Sequence, residues 1–218
     1  ERLMGGDALF AFAFAEAQGR YVIEARAVEA QHDSDGARLN GEKQFVLGGP
    51  AADHLIVSAH SHDDTRLYLV DRAATDLRPY AVIDGSLAAV AVFRNAPAVP
   101  LDRGLEAIKA AVDDARIMAA AEMTGIAQRL FDETLAYVKQ REQFGQPIGR
   151  FQVIQHRMVD CYAATEEMQS ALLRHLLSPA RARLHATAGL KAQIAELAQF
   201  VAHEAVQFHG GMGMTDEL

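Results

Sequence analysis

The sequence has little of three things that would each point to a particular class of protein: cysteine, positive charge and long apolar runs. Its one cysteine, Cys161, excludes an internal disulfide and indicates a reducing, cytoplasmic compartment. The 21 basic residues are outnumbered by 29 acidic ones, and a net charge of −8 argues against a nucleic-acid groove, which needs clustered Lys and Arg. No apolar run approaches the ~18–20 residues that span a membrane. We therefore expect neither nucleic-acid binding nor a membrane span.

What the sequence does have is length and apolar content. Its 218 residues, 50% of them hydrophobic, are enough for one large domain or two small ones with a core. Residues 21–99 have the pattern of β-structure, in which short apolar runs alternate with turn residues. Asp35-Gly36 and Asn40-Gly41 are hairpin-turn signals, and "HSHDD" at residues 60–64 is predicted to be a polar hairpin turn rather than a metal site. Because such frequent turns leave no room for crossover helices, we predict an antiparallel sheet, folded as a barrel or a sandwich.

The period changes after about residue 104, where three apolar stripes step by three or four residues, as on long amphipathic helices. The stripes comprise Leu105, Ile108, Val112, Ala115, Ala119, Met123, Ile126 and Leu130, then Phe151, Ile154, Met158, Cys161, Met168, Leu172 and Leu176, then Leu190, Ile194, Leu197, Val201 and Phe208. Pro179 separates the last two. Three such helices with short links predict an up-down helical bundle. The predicted fold class is therefore α+β, with a β domain at residues 1–102 and a helical bundle domain at 103–218.

Three motifs carry a resemblance to one family. The segment "YVKQREQFGQPIGRFQ" joins the first two predicted helices, "QFHGGMGM" ends the third, and "LNGEKQFVLGGPAADHLIVSA" lies in the β half. In their order along the chain, in which the β-half segment comes first, they resemble the acyl-CoA dehydrogenase family over nearly the whole chain. The resemblance implies a middle β domain and a C-terminal bundle, an FAD cofactor, an acyl-CoA substrate, electron-transfer flavoprotein as electron acceptor, and a homo- or hetero-oligomer (dimer or tetramer). Members also carry an N-terminal helical domain that is not seen here, and since the sequence starts without an initiator Met we expect a fragment.

The resemblance also implies which residues contact FAD. In the family, the turn between the first two bundle helices reaches the FAD of a neighbouring subunit. Arg141 would pair there with the pyrophosphate, and Phe144 would pack on the adenine end. The full set of implied cofactor-binding residues is Arg141, Phe144, Gln152, Gln207, Gly210, Gly211 and Phe45. The alternative for this turn is structural: an arginine that caps a helix C-terminus, followed by a glycine turn.

Two positions depart from the family pattern where the flavin ring is expected. Members usually carry Thr-Glu-Pro where this chain has Ala-Glu-Ala from Ala15, and Trp-Ile-Thr or Trp-Ile-Ser where it has Phe-Val-Leu ending at Leu47. Phe45 keeps an aromatic ring, but both hydroxyls that bond the flavin ring are replaced by apolar groups. Each replacement removes a hydrogen bond worth roughly 0.5–1.5 kcal/mol.

No catalytic base is identified in this chain. In most members the glutamate that removes the α-proton lies downstream of the Gly-Gly turn, on a segment beyond Leu218. In a minority it lies on the first bundle helix beside an arginine that resembles Arg116, but the neighbour here is Ala115. Asp113 and Asp114 are close by, yet a one-residue shift turns a helical side chain by ~100°, away from any site that Ala115 would face.

Three functions remain open. The first is an FAD-dependent acyl-CoA dehydrogenase, or a subunit of one, that oxidises an acyl-CoA thioester to 2-enoyl-CoA in fatty acid or steroid catabolism. The second is a non-catalytic partner that completes the FAD site of a related active subunit, as in heteromeric bacterial acyl-CoA dehydrogenases. The lost hydroxyls beside an intact Arg141 motif favour this second function. The third is a helical scaffold without a cofactor. The sequence does not indicate the acyl group.

Overall fold

The structure is a computed structural model of the chain, and it describes residues 2–19, 22–33, 36–62, 64–179 and 186–215. It divides into two compact units, Glu1–Ala110 and Ala111–Leu218. The first is built on a sheet and the second on helices, as the change of period predicts. We call them the β unit and the helical unit. The domain boundary between residues 102 and 103 stays a prediction.

The β unit contains one short helix and seven strands among its described residues. They are α1 Arg2–Gly5, β1 Phe10–Ala13, β2 Glu29–Asp33, β3 Gly36–Leu47, β4 His54–Ser61, β5 Asp64–Asp71, β6 Asp76–Ala81 and β7 Leu87–Gly104. Successive side chains of a strand point to opposite faces, and the inward set forms a single apolar core. Its largest members are Val28, Leu39, Val46, Leu55, Val57, Tyr68, Val70 and Phe93.

The strand pairings form a closed circuit. β4 pairs with β2, β2 with β3, β3 with β7, β7 with β5, and β5 with β4, while β1 and β6 are added to β4 and β7. Most pairs are antiparallel as predicted, but β1 runs parallel to β4 from Phe10↔His54 to Ala13↔Val57, and β2 meets β4 in parallel at Glu29↔His60. The prediction of an antiparallel sheet is wrong for these two pairs, because further strands lie between the paired strands along the chain and no crossover helix is needed to return. A barrel or a sandwich stays a prediction.

Asn40-Gly41 is not the predicted hairpin turn but a bulge inside β3. The pairing register with β7 shifts at this point, and Gly41 has φ 132°. A Cβ at Gly41 would overlap the carbonyl oxygen of Ala27. The approach of a distant chain segment therefore decides the local structure here. At the other predicted turn, Gly36 begins β3 and Asp35 lies outside the described residues.

The helical unit is built on three long helices, as the three apolar stripes predict. Its elements are α2 Leu105–Gln140 (which begins in the β unit), β8 Glu142–Gln143, β9 Gln146–Pro147, α3 Gln152–Leu177 and α4 Thr187–His209. Short 3₁₀ turns follow β9 at Ile148–Arg150 and α4 at Gly210–Met214.

The contacts between these helices establish an up-down-up order, because residue numbers fall in one helix as they rise in its neighbour. α2 meets α3 at Gln128–Gln169 and Phe131–Tyr162, and α3 meets α4 at Arg157–Glu204 and Glu167–Gln193. Consecutive helices are therefore antiparallel. The predicted up-down bundle is confirmed.

Most of the predicted stripe residues on α3 and α4 pack into one core. Its members include Met158, Cys161, Met168, Leu190, Ile194, Val201 and Phe208. On α2 the stripe is only partly covered: Ile126 is 53% exposed and Ala115 is also exposed. Three helices leave part of the α2 stripe without a neighbour inside the described chain. Among the described residues, no helix combines the length and the apolar character needed to cross a bilayer.

Candidate functional site

The segment between α2 and α3 forms a tight hairpin with an aromatic ring at its tip. β8 and β9 pair through Gln143 and Gln146, which leaves Phe144 and Gly145 as the two turn residues. Their φ angles of 52° and 78° are both positive, as in a type I′ turn. This turn prefers Asn-Gly, and the left-handed conformation costs most L-residues about 1–2 kcal/mol. Phe144 is 92% exposed, and its ring meets the edge of Phe151 at 6.1 Å. A strained, exposed aromatic residue is a candidate for contact with a ligand.

Arg141 lies at the base of this hairpin and is exposed. Its backbone is fixed, since its N–H donates to Tyr137 and its carbonyl accepts from Ile148, both at 2.8 Å. Its guanidinium makes no hydrogen bond to any of the described residues. The alternative in which this side chain caps the last carbonyls of α2 is therefore not what the structure contains. Its five N–H donors therefore have no acceptor in the described chain.

The end of α4 forms a second exposed turn. Gln207 is exposed. Two residues further on, His209 is buried, and its Nδ1 lies 2.8 Å from the carbonyl oxygen of Ala205. Gly210 has φ 62°, a conformation that favours glycine. Gly211 has no such reason to be glycine, because a Cβ there would meet nothing within 4 Å. The missing side chain at Gly211 leaves the backbone open to close approach from outside.

These two turns lie at the same end of the helical unit. The C-terminus of α2, the N-terminus of α3 and the C-terminus of α4 share this end because consecutive helices are antiparallel. The rings of Tyr137 and His209 join the two turns directly, with their centroids 4.3 Å apart. The structure thus brings six of the predicted residues to one end of the unit: Arg141, Phe144, Gln152, Gln207, Gly210 and Gly211. Their roles toward FAD stay predictions.

The seventh predicted residue, Phe45, lies in the β unit, and a second bulge exposes it. The register between β3 and β7 shifts between Lys43 and Val46, and both of these side chains are fully buried. Strict alternation would put Lys43, Phe45 and Leu47 on one face. The extra residue in the bulge turns Phe45 and Leu47 to the outer face instead, where they are 52% and 53% exposed.

Ala15 lies beside this outer surface. Its carbonyl oxygen accepts a hydrogen bond from the backbone N–H of Gln44 at 2.8 Å. Ala15 and Leu47 are the two positions where the family pattern has hydroxyls, and neither side chain can form a hydrogen bond. The surface around Phe45 is therefore apolar at both of these positions.

Behind this surface lies a buried ion pair that no sequence motif marks. Lys43 Nζ is 2.7 Å from Glu16 Oε1, and the side chains are 0% and 5% exposed. The ammonium also donates to the carbonyl oxygen of Phe14 at 3.2 Å and to Ser58 Oγ at 2.9 Å. The carboxylate accepts three consecutive backbone N–H groups, those of residues 26–28. Every charged atom of the pair is thus satisfied.

Opposing effects set the pKa values of this pair. Burial acts to raise the pKa of Glu16, but the hydrogen bond and charge of Lys43, with the N–H groups of Ala27 and Arg26, leave it below its ordinary value. Burial lowers the pKa of Lys43, and the bond and charge of Glu16 oppose that decrease. The carboxylate is therefore ionised at neutral pH and holds the ammonium beside it.

The described residues offer no catalytic base at the position that a minority of the family uses. Ala115 is exposed there, and Asp113 is paired with Arg116 at 2.8 Å along the same helix. No group of three potential metal ligands occurs among the described residues. The His60–Asp64 segment forms the β4–β5 hairpin as predicted, with its Asp63 outside the described residues.

Comparison with known sequences identifies the family of this chain. A profile described as "Acyl-CoA dehydrogenase, C-terminal domain" matches residues 102–218. The chain is 30% identical over 239 residues to mitochondrial isovaleryl-CoA dehydrogenase of Solanum tuberosum, covering 99% of this chain and 57% of the relative. It is 34% identical over 192 residues to acyl-CoA dehydrogenase IpdE2 of Mycolicibacterium smegmatis, covering 84% and 56%. The chain thus spans less than two thirds of the length of these relatives.

Solved structures agree with the sequence matches. A variant of the Tcur3481-Tcur3483 steroid ACAD has 32% identity and a TM-score of 0.80, over 98% of this chain and 59% of that one. The ChsE4-ChsE5 complex from Mycobacterium tuberculosis has 25% identity and a TM-score of 0.79, over 98% and 59%. PigA with FAD and proline has 26% identity and a TM-score of 0.84, over 99% and 61%. Because the profile matches more than half of this chain, the chain belongs to the acyl-CoA dehydrogenase family.

Proposed function

We propose that this chain is part of an FAD-dependent acyl-CoA dehydrogenase that oxidises an acyl-CoA thioester to 2-enoyl-CoA and passes the electrons to electron-transfer flavoprotein. One observation carries the proposal. At one end of the helical unit, the unpartnered guanidinium of Arg141 lies at the base of a hairpin that exposes Phe144 at its tip. An unpaired cation at the base of a hairpin, with an exposed aromatic ring at the tip, suits a ligand with a diphosphate and an adenine.

The chemistry of this end fits the non-redox half of FAD. The guanidinium supplies a planar fork of donors for pyrophosphate oxygens. The ring of Phe144 supplies a face for adenine, a contact worth ~1–3 kcal/mol when a base stacks on an aromatic side chain. Gln152 and Gln207 add amides, and Gly211 leaves room for a ligand against the backbone. PigA, which is similar in fold and has 26% identity, contains FAD.

The β unit fits the flavin ring less well. Phe45 offers an exposed aromatic face, but Ala15 and Leu47 offer no hydrogen bond to the ring edge. When bound, FAD supplies the acceptor for the hydride from the substrate. The residues of this chain would hold and orient the cofactor, and the base that takes the α-proton is not among those described.

The apolar positions favour a second candidate, in which this chain completes the FAD site of a related, active subunit. Its Arg141 end would serve a cofactor whose flavin ring rests on the partner's β domain. The ChsE4-ChsE5 structure is a complex of two named components, and this chain is 25% identical to the matched chain. In this case the assembly is a hetero-oligomer, whereas the first candidate is satisfied by a homo-oligomer. The cytoplasmic location stays a prediction from the single cysteine.

The flavin-to-chain ratio separates the two candidates. The full-length protein is purified alone and after co-expression with a related subunit, and FAD is quantified by absorbance together with the size of the assembly. One FAD per chain in a homo-oligomer, bleached by an acyl-CoA without oxygen, supports the first candidate. Fewer than one FAD per chain, and one per unlike pair, supports the second. No flavin in either preparation contradicts both and leaves the cofactor-free scaffold.

A further inference from the structure

We propose that the buried Glu16–Lys43 pair is a positioning device that holds the β3 bulge and so keeps Phe45 and Leu47 on the cofactor-facing surface. This role extends the proposed function, and it rests on that function for the identity of the ligand, FAD. The geometric part concerns this chain alone and can be tested without any cofactor.

The orientation of this surface depends on one bulge. Lys43 and Val46 are both fully buried although they are three residues apart, while Phe45 and Leu47 between and beyond them are half exposed. Only the extra residue at the register shift allows this pattern. Loss of the bulge would return Lys43, Phe45 and Leu47 to a single face, since side chains alternate along a regular strand.

Lys43 can satisfy its charge only on the inner side of β3. Its three donors reach Phe14, Glu16 and Ser58, all in the interior of the β unit. A buried ammonium without these acceptors is strongly unfavourable. The pair therefore selects the register in which Lys43 points inward, and that register is the one with the bulge.

Glu16 fixes the neighbouring segment in the same way. Residues 14–17 form no strand, yet the carboxylate of Glu16 anchors them to the backbone N–H groups of residues 26–28. From this anchored segment, the carbonyl oxygen of Ala15 accepts the N–H of Gln44 inside the bulge. The pair thus fixes both sequence segments that meet at the outer surface.

The test uses two neutral variants and their combination in the full-length protein: Lys43→Met, Glu16→Gln, and both together. Removing one member of a buried ion pair leaves an unpaired buried charge and is strongly destabilising, whereas the double variant leaves no buried charge. The double variant therefore recovers part of the lost stability without restoring the contacts that hold the bulge. Val70→Ala, at a fully buried position on β5, is the control for loss of stability without a change at the bulge.

Two readouts are measured. The first is amide hydrogen exchange without cofactor, in which we expect the protection of the Gln44 N–H to fall at least roughly tenfold in Lys43→Met and in the double variant, relative to β5 amides. The second is the absorption spectrum and affinity of FAD in the assembly, in which we expect a shifted spectrum and roughly tenfold weaker binding for the double variant at a temperature where it is fully folded.

The inference is overturned if the double variant retains the protection of Gln44, or if its FAD spectrum and affinity match those of the wild type. It is also overturned if Val70→Ala changes both readouts to the same extent. If the wild-type assembly holds no FAD, the proposed function fails, but the exchange experiment still decides whether the pair holds the bulge. The two failures are therefore distinguishable.

Discussion

Replacing Phe144 by Asn should make the protein more stable and, at the same time, weaker in binding FAD. The two turn residues have φ angles of 52° and 78°, so Phe144→Asn gives Asn-Gly, the preferred pair for this turn. A left-handed backbone costs most L-residues about 1–2 kcal/mol, and Asn tolerates it better. Phe144 is 92% exposed, so little packing is lost in the free chain. We expect a gain of about 1 kcal/mol, or ~2–4 °C in the unfolding midpoint.

The loss of FAD binding follows from the same exposure. A ring that contacts nothing but the edge of Phe151 among described aromatic residues is free to take a base on its face. Loss of a stacking contact worth ~1–3 kcal/mol weakens binding roughly 5- to 150-fold. Thermal unfolding of the cofactor-free protein and equilibrium titration of the assembly with FAD measure the two effects. Gly145→Ala is the control: its φ of 78° is unfavourable for alanine, so both stability and binding should fall.

The reasoning is refuted if Phe144→Asn binds FAD as tightly as the wild type, since Phe144 then makes no contact with the cofactor. A decrease in the stability of the cofactor-free protein would also refute it, because the turn would then not be the strained one described here.

Three further changes test the fold. The folded-state pKa of Glu16 lies below the ordinary 4.5, so the stability that the ionised carboxylate contributes is present above that value and is lost as pH falls through the folded pKa. The wild type should therefore lose stability in acid more steeply than the double variant Glu16→Gln with Lys43→Met. Parallel plots of unfolding free energy against pH for the two proteins would contradict this. Burial, with nearby acidic groups, raises the pKa of Cys161 to about 11. At pH ~8 a disulfide reagent should therefore label this thiol only after the protein unfolds. Rapid labelling of the native protein would contradict the burial of Cys161. Gly41→Ala combines an unfavourable φ with a backbone overlap and should lower the free energy of unfolding by roughly 2–6 kcal/mol. Gly85→Ala, which has open space around it, should lower it by about 1 kcal/mol. Equal losses in chemical denaturation would contradict the bulge.

The structural features that are best predicted from the sequence are those that depend on the local spacing of apolar residues. Leu190, Ile194 and Val201 follow a step of three or four residues and are buried on α4, because a helix preserves that spacing whatever its neighbours are. Ile126 follows the same rule on α2 and is half exposed, because burial also requires a partner helix on that side. Period indicates which face is apolar, but it does not indicate what covers that face.

The β unit is less predictable because its decisive contacts join distant segments. Asn40-Gly41 has the composition of a hairpin turn, and only the approach of Ala27 makes it a bulge. Glu16 and Lys43 are 27 residues apart, and neither is marked by its neighbours as one member of a buried pair. At the helical end, the motif points to Arg141 and Phe144 through the family resemblance. The positive φ values that present Phe144 are visible only in the folded chain.

The central claim is that the helical end around Arg141 binds FAD, and the flavin content of Arg141→Ala tests it most directly. The control is Arg174→Ala, an exposed arginine on the same unit, about 33 Å along α3 from Gln152. Both variants are purified as the full-length protein in the wild-type assembly, and FAD per chain is measured by absorbance. Loss of a charge-assisted bond costs about 1.5–3 kcal/mol, so we predict roughly 10- to 150-fold weaker binding for Arg141→Ala and wild-type flavin for Arg174→Ala. Equal flavin content in the two variants, in assemblies of equal size, would contradict the claim.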